Sequence, residues 1–205
     1  MSEFFLELFT EEIPASQQKI ARNFLSENFL KLFEDKKILF KKSSIFSIPN
    51  RLIIFFEGLE KQIIQKDEEI RGPSINAPEK ALEGFLRSNQ INKDKIFKKK
   101  TEKGEFYFFK KPENKIKTIN ILKENIPLIL DNIQWKKSMR WSDYKLQWSR
   151  PLKSIMAVFD DKIIEFNYHH LASSNTTFLD KDFEDKKKIF KNFKSYEESL
   201  KKLNI

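Results

Sequence analysis

The sequence predicts an α+β fold, a mainly antiparallel sheet with packed helices and a C-terminal helix. Three observations carry this. Short β-branched and aromatic runs come in pairs separated by hairpin-length gaps. Segments with apolar residues every three or four positions lie between those pairs. Hydrophobic residues make up 40% of the 205 positions and include 21 Phe, enough for a real core.

Phe4–Phe9 is an apolar run broken only by Glu7, as expected of a strand buried on most of both sides. Thr10-Glu11-Glu12-Ile13-Pro14 then predicts a helix start, because Pro at the first helical position has no N–H to leave unpaired and carboxylates suit the positive end of the helix dipole. Ala21, Phe24, Leu25, Phe29, Leu32 and Phe33 follow at helical spacing. Leu52–Phe56 reads as a second strand ending at Gly58. Arg71-Gly72-Pro73 reads as a turn, and Pro78 as the start of a helix with Ala81, Leu82, Phe85 and Leu86 on its apolar side. Phe97–Lys100 and Glu105–Phe109 form a hairpin around Thr101-Glu102-Lys103-Gly104. Ile119–Ile133 is helical by pattern, with Pro127 expected to break it or start a second helix. Ile155–Phe159 and Ile163–Phe166 are strands around a tight Asp160-Asp161 turn. Phe183–Ile205 reads as a last helix with Ile189, Phe193, Tyr196, Leu200 and Leu203 on one stripe, which needs a surface to bury against.

Charged residues make up 34%, and the net charge is +9 with a pI near 9.4. Such a balance favours a polyanionic partner, nucleic acid or anionic lipid. The abundance of Lys, Ile, Asn and Phe, which share AT-rich codons, explains the same charge as composition alone. No apolar run approaches the roughly 18–20 residues of a membrane-spanning helix, so no membrane partner is expected. Met1–Thr10 carries Glu3 and Glu7 and lacks a basic stretch, unlike a secretory signal. Cys is absent, which excludes disulfides, thiolate metal sites and thiol nucleophiles and fits a cytoplasmic location.

Glu11 and Glu12 are adjacent and diverge, so the helix-dipole role suits them better than paired acid–base work. His169 and His170 likewise diverge, with no accompanying ligand spacing, which argues against a metal site. No phosphate-cradling or nucleophile-elbow glycine pattern occurs among four Gly. No catalytic residue is therefore expected. Trp135–Pro151 is different in kind. Lys136, Lys137, Arg140 and Arg150 can neutralise phosphates while Trp141 stacks on an unpaired base; equally, Trp135, Trp141 and Trp148 can be core residues covered by the arginines. Arg71 and Arg51 are further candidate polyanion contacts.

Several of these stretches line up, in order, with one family. Phe5-Leu6-Glu7-Leu8-Phe9-Thr10-Glu11-Glu12-Ile13-Pro14-Ala15 is similar to the opening of the bacterial glycyl-tRNA synthetase beta subunit. Ile48-Pro49-Asn50-Arg51-Leu52 resembles its Pro-Arg-Arg-Leu step, with Asn50 in place of an Arg. Arg71-Gly72-Pro73, Lys80-Ala81-Leu82-Glu83-Gly84-Phe85, Lys103-Gly104-Glu105, Lys137-Ser138-Met139-Arg140-Trp141 and Arg150-Pro151 resemble further family motifs. One departure is Thr176-Thr177-Phe178, which lacks the Gly-His-Arg that follows the two Thr in the family.

The resemblance implies a subunit of a glycine–tRNA ligase heterotetramer in the cytoplasm. It places ATP, magnesium and glycine on an alpha subunit and gives this chain no cofactor and no catalytic residue. The expected partners are the alpha subunit, tRNA(Gly) and the remaining beta-subunit portion, since beta subunits continue far beyond this length. Residues 1–180 are then the family's N-terminal α+β region and 181–205 a C-terminal helix. The alternative is a stand-alone basic RNA-binding or interaction module derived from such a subunit.

Overall fold

A strand that is apolar on both faces has to lie between two covering layers, and Glu3–Thr10 does. The computed structural model describes residues 2–65, 67–102, 104–179 and 187–203. The chain runs β1 (Glu3–Thr10), α1 (Ala15–Lys36), β2 (Lys42–Ile48), β3 (Arg51–Glu57), β4 (Gln62–Gln65), β5 (Glu68–Ser74), α2 (Glu79–Asn89), β6 (Ile96–Thr101), β7 (Gly104–Lys111) and β8 (Asn114–Lys117). It continues through α3 (Thr118–Asp131), β9 (Met139–Arg140), β10 (Gln147–Trp148), β11 (Leu152–Phe159), β12 (Lys162–Ile163), β13 (Asn167–Tyr168), β14 (Leu171–Ser174), β15 (Thr176–Phe178), β16 (Lys187–Ile189) and α4 (Phe193–Lys202). Two units result, one built from Met1–Ile63 with Lys117–Ile205, the other from Ile64–Ile116. The boundary expected near residue 180 does not coincide with these junctions, and α4 belongs to the first unit.

In the first unit the main sheet has the order β13-β14-β11-β1-β3-β2, antiparallel except where β11 meets β14. In register, Phe4 lies between Phe56 and Phe159, and Phe5 between Phe55 and Val158. The period of two therefore divides β1 cleanly. Phe4 meets Phe29 of α1 at 5.5 Å between ring centroids, and Phe56 meets Phe33 edge-on at 4.8 Å. Ala21, Leu25, Phe29, Leu32 and Phe33 are the buried apolar residues of α1, as their spacing predicts, while Phe24 is half-buried. On the opposite face Phe5, Ile53, Met156 and Val158 cluster with Phe190, Tyr196 and Leu200.

That second face also takes Glu7, which is 1% exposed. Arg51, fully buried, donates from Nη1 to Glu7 Oε2 at 2.7 Å and to Thr177 Oγ1 at 3.0 Å. Its Nη2 donates to the Phe178 carbonyl, and its guanidinium sits 4.5 Å over the Phe9 ring. Thr177 and the Tyr196 hydroxyl both donate to the Glu7 carboxylate. The one polar residue within Phe4–Phe9 is thus the acceptor at which β3, β15 and α4 meet.

The second unit is a three-stranded antiparallel sheet, β5-β7-β6, carrying α2. Its β6–β7 hairpin matches expectation, although Lys103 lies outside the described residues. Arg71-Gly72-Pro73 is not a turn. It lies inside β5 at an irregularity of register between Arg71 and Ser74, where Pro73 has no N–H to give a ladder. Gly72 suits the close approach there, since a Cβ would fall 2.9 Å from the Phe85 ring of α2 and force that ring to shift.

Other expectations also shift. Pro14 and Pro78 sit at the N-cap, one residue before the helices they introduce, and α1 has no acidic residue in its first turn. Glu11 instead pairs with Lys153 at 2.6 Å. Pro127 lies within a continuous α3; its missing N–H frees the carbonyl of exposed Lys123, which water can satisfy. The edge strand β2 was hidden by its serines. Asp160 and Asp161 do form the tight turn, both with positive φ as a type I′ hairpin demands. The last helix starts only at Phe193, because 187–189 pairs with β15, leaving Ile189 62% exposed. Residues 183–186, 204 and 205 of the expected helix lie outside the described residues. Tyr196 and Leu200 are buried, Phe193 stacks on Phe55 at 4.2 Å, and Leu203 is exposed.

Burial and then the Glu7 carboxylate hold the Tyr196 phenol well above the usual tyrosine range. An unfolded tyrosine ionises near pH 10, so this contribution is fully present below about pH 10 and is lost as pH rises beyond it. Tyr196→Phe is expected to cost about 1–3 kcal/mol at pH 7 by leaving a buried acceptor short of a donor. Denaturant melts at pH 7 and above pH 10 check this: the wild-type advantage should shrink at high pH, and an unchanged advantage would contradict it.

Candidate functional site

The segment between α3 and β11 is pinned at both ends by core residues. Trp148 is 2% exposed and packs against Trp135 at 5.0 Å and edge-on to Tyr168 at 6.2 Å. Leu146 is buried beside it. Between these anchors β9 and β10 pair Arg140 with Gln147 and Met139 with Trp148, so alternation sends Arg140 to the face opposite Met139 and Trp141. Trp141 is 60% exposed. The core reading therefore holds for Trp148 and half-buried Trp135, while Trp141 is a surface ring.

The cations divide in the same way. Lys136, Lys137 and Arg140 are exposed, and among the described residues none has an ion-pair partner. Arg150 is half-buried and donates to the carbonyl of Ser149 at 2.9 Å. Arg71 belongs to the second unit and lies 3.6 Å over the Phe106 ring, with its residue exposed. Arg51 is corrected outright: the desolvated partner of Glu7 is not presented to any polyanion.

Beside Trp141 opens a groove of about 550 Å³. One wall is Tyr144, whose ring lies parallel to the His170 imidazole at 3.5 Å and 5°. Partial desolvation first, and then neighbouring His169, lower the pKa of His170 from the ordinary histidine value, which favours its neutral ring. His169 and His170 form the two-residue turn between β13 and β14, with His169 Nε2 3.3 Å from Asp131. The lining also includes Phe178, with the Lys187 ammonium 4.7 Å over its ring, and the Lys153–Glu11 ion pair. Tyr144, His170, Lys153 and Lys187 come from four separate elements, so no local sequence signal joins them. Among the described residues no three His, Asp or Glu side chains are placed to hold a metal, and no helix is long and apolar enough to cross a membrane.

A family model described as glycyl-tRNA synthetase beta subunit matches residues 4–205. The chain belongs to the glycyl-tRNA synthetase beta subunit family. It is 37% identical over all 205 of its residues to the glycine–tRNA ligase beta subunit of Rickettsia canadensis, covering 31% of that protein. Identity is 38% over 200 residues with the Rickettsia conorii subunit, 98% of this chain and 30% of the relative. The chain thus spans about 30% of the length of the curated beta subunits it matches. Within this beta-subunit sequence the resemblance motifs do two different jobs. Glu7, Arg51 and Thr177 converge on one interior ion pair, whereas Lys137, Met139, Arg140 and Trp141 stay at the surface.

This division predicts opposite stability effects. Arg140→Ala should leave stability within about 0.5 kcal/mol, as exposed unpaired positions do, while Arg150→Ala should lower it by about 1 kcal/mol. Thermal melts of the two variants decide; an Arg140→Ala loss as large as that of Arg150→Ala would contradict the placement.

Proposed function

We propose that this chain is the N-terminal part of the beta subunit of a two-subunit glycine–tRNA ligase. In this reading it supports ATP-dependent attachment of glycine to tRNA(Gly) through tRNA and subunit contacts in the cytoplasm. ATP and magnesium belong to the alpha subunit, and the chain holds no cofactor of its own. The observation that carries the reading is the family match over residues 4–205. The surface supports it: Lys136, Lys137 and Arg140 lie on one exposed segment and have no ion-pair partner among the described residues, which suits them to phosphate oxygens. Leu39 and Leu128, 68% and 59% exposed, suit contacts with the alpha subunit or the rest of the beta subunit.

Two measurements test this. Purified chain should show no glycine-dependent ATP–pyrophosphate exchange, and activity that follows the protein through purification would overturn the assignment of chemistry to the alpha subunit. It should bind tRNA with a dissociation constant on the order of 10⁻⁴–10⁻⁶ M at physiological salt, weakening steeply as salt rises. Arg140→Ala should reduce the log–log salt slope by roughly one. Wild-type affinity and slope in that variant would remove Arg140 from the contact.

A further inference from the structure

We propose that the groove beside Trp141 is a stacking site for an unpaired nucleotide of single-stranded RNA. The proposal rests on the tRNA-contact reading above and specifies which part of an RNA the surface accepts.

The groove is built and not collapsed. Trp141 and Tyr144 are 60% and 44% exposed although the hairpin that bears them is anchored by buried Leu146 and Trp148. Exposed rings on a pinned hairpin offer apolar ring faces to a partner at little conformational cost. Tyr144 already rests on His170, so a planar wall exists before any ligand arrives. At about 550 Å³ the space exceeds any one side chain and falls in the range of about 300–1,000 Å³ typical of small-molecule sites.

Charge decides between ligand classes. The lining combines rings with two cations, Lys153 and Lys187, and the Glu11 carboxylate. Lys187 is exposed and suits a backbone phosphate, while Glu11 can accept from a base amino group or a ribose hydroxyl. A purely apolar protein segment would desolvate the exposed Lys187 ammonium without offering it an acceptor, whereas Lys153 and Glu11 already pair with each other. Duplex RNA keeps its base faces covered by its own stacking, so only unpaired bases reach the rings.

The test uses the whole chain, a short unstructured oligoadenylate RNA, and a duplex of equal length. Single-stranded RNA should quench the fluorescence contributed by Trp141, and Trp141→Leu should weaken single-strand binding about tenfold without changing the salt slope. Lys187→Ala should lower that slope by roughly 0.7, the value for one phosphate of a single strand. Thermal melts confirm that both surface variants fold, and Tyr144→Leu gives an independent weakening from the other ring. The proposal fails if Trp141→Leu leaves single-strand affinity unchanged, or if duplex RNA binds as well and loses as much. It also fails if Trp141→Leu abolishes capture of the alpha subunit while RNA affinity stays intact, which would make the groove a protein interface. Retained wild-type tRNA binding in those cases leaves the subunit reading standing, whereas a wild-type chain that binds no RNA overturns both.

Discussion

A carboxylate on the central strand of a sheet covered on both faces is costly unless a cation shares its burial and further donors complete its shell. Glu7 stands in that position, and Arg51, two residues along the neighbouring strand from its register partner Ile53, answers it. The pair sets where the rest of one layer must go. Thr177 brings β15 to it, the Phe178 carbonyl takes a second guanidinium nitrogen, and Tyr196 ties α4 to the same carboxylate. Apolar packing supplies most of the attraction, but packing alone tolerates sliding; a buried pair with three further hydrogen-bond partners does not.

This constraint explains which parts of the fold could be read from the sequence. The faces of α1 and the Asp160-Asp161 hairpin follow from local period and turn chemistry, and both were legible. Glu7 was visible as an interruption in an apolar strand, yet its partner lay 44 residues away, so Arg51 read as one more basic residue. The start of α4 was obscured for a related reason: Ile189 fits the helical stripe, but pairing of 187–189 with β15 takes precedence over periodicity. In β5, Gly72 and Pro73 carry a turn signature, and close approach of Phe85 together with a missing ladder donor produces the same composition inside a strand.

The candidate site was half legible. Density of Trp and basic residues drew attention to residues 135–151, and exposed cations and an exposed ring there leave that compositional trace. Which tryptophan is exposed depends on strand alternation between two pinned ends, and the cations of the groove come from β11 and β16. The interior pair and the surface groove are linked through β15: Thr177 faces the pair and Phe178 lines the groove with Lys187 above it. Through β15 the ion pair thus helps to shape the surface without touching a ligand.

A double-mutant cycle on Glu7 and Arg51, read by equilibrium denaturation, tests the central claim most directly. Arg51→Met alone leaves a buried carboxylate unanswered and should cost about 3–5 kcal/mol, whereas adding Glu7→Gln should recover a substantial part of that loss. If the two single losses instead add within about 0.5 kcal/mol, the pair is not the constraint that organises this fold.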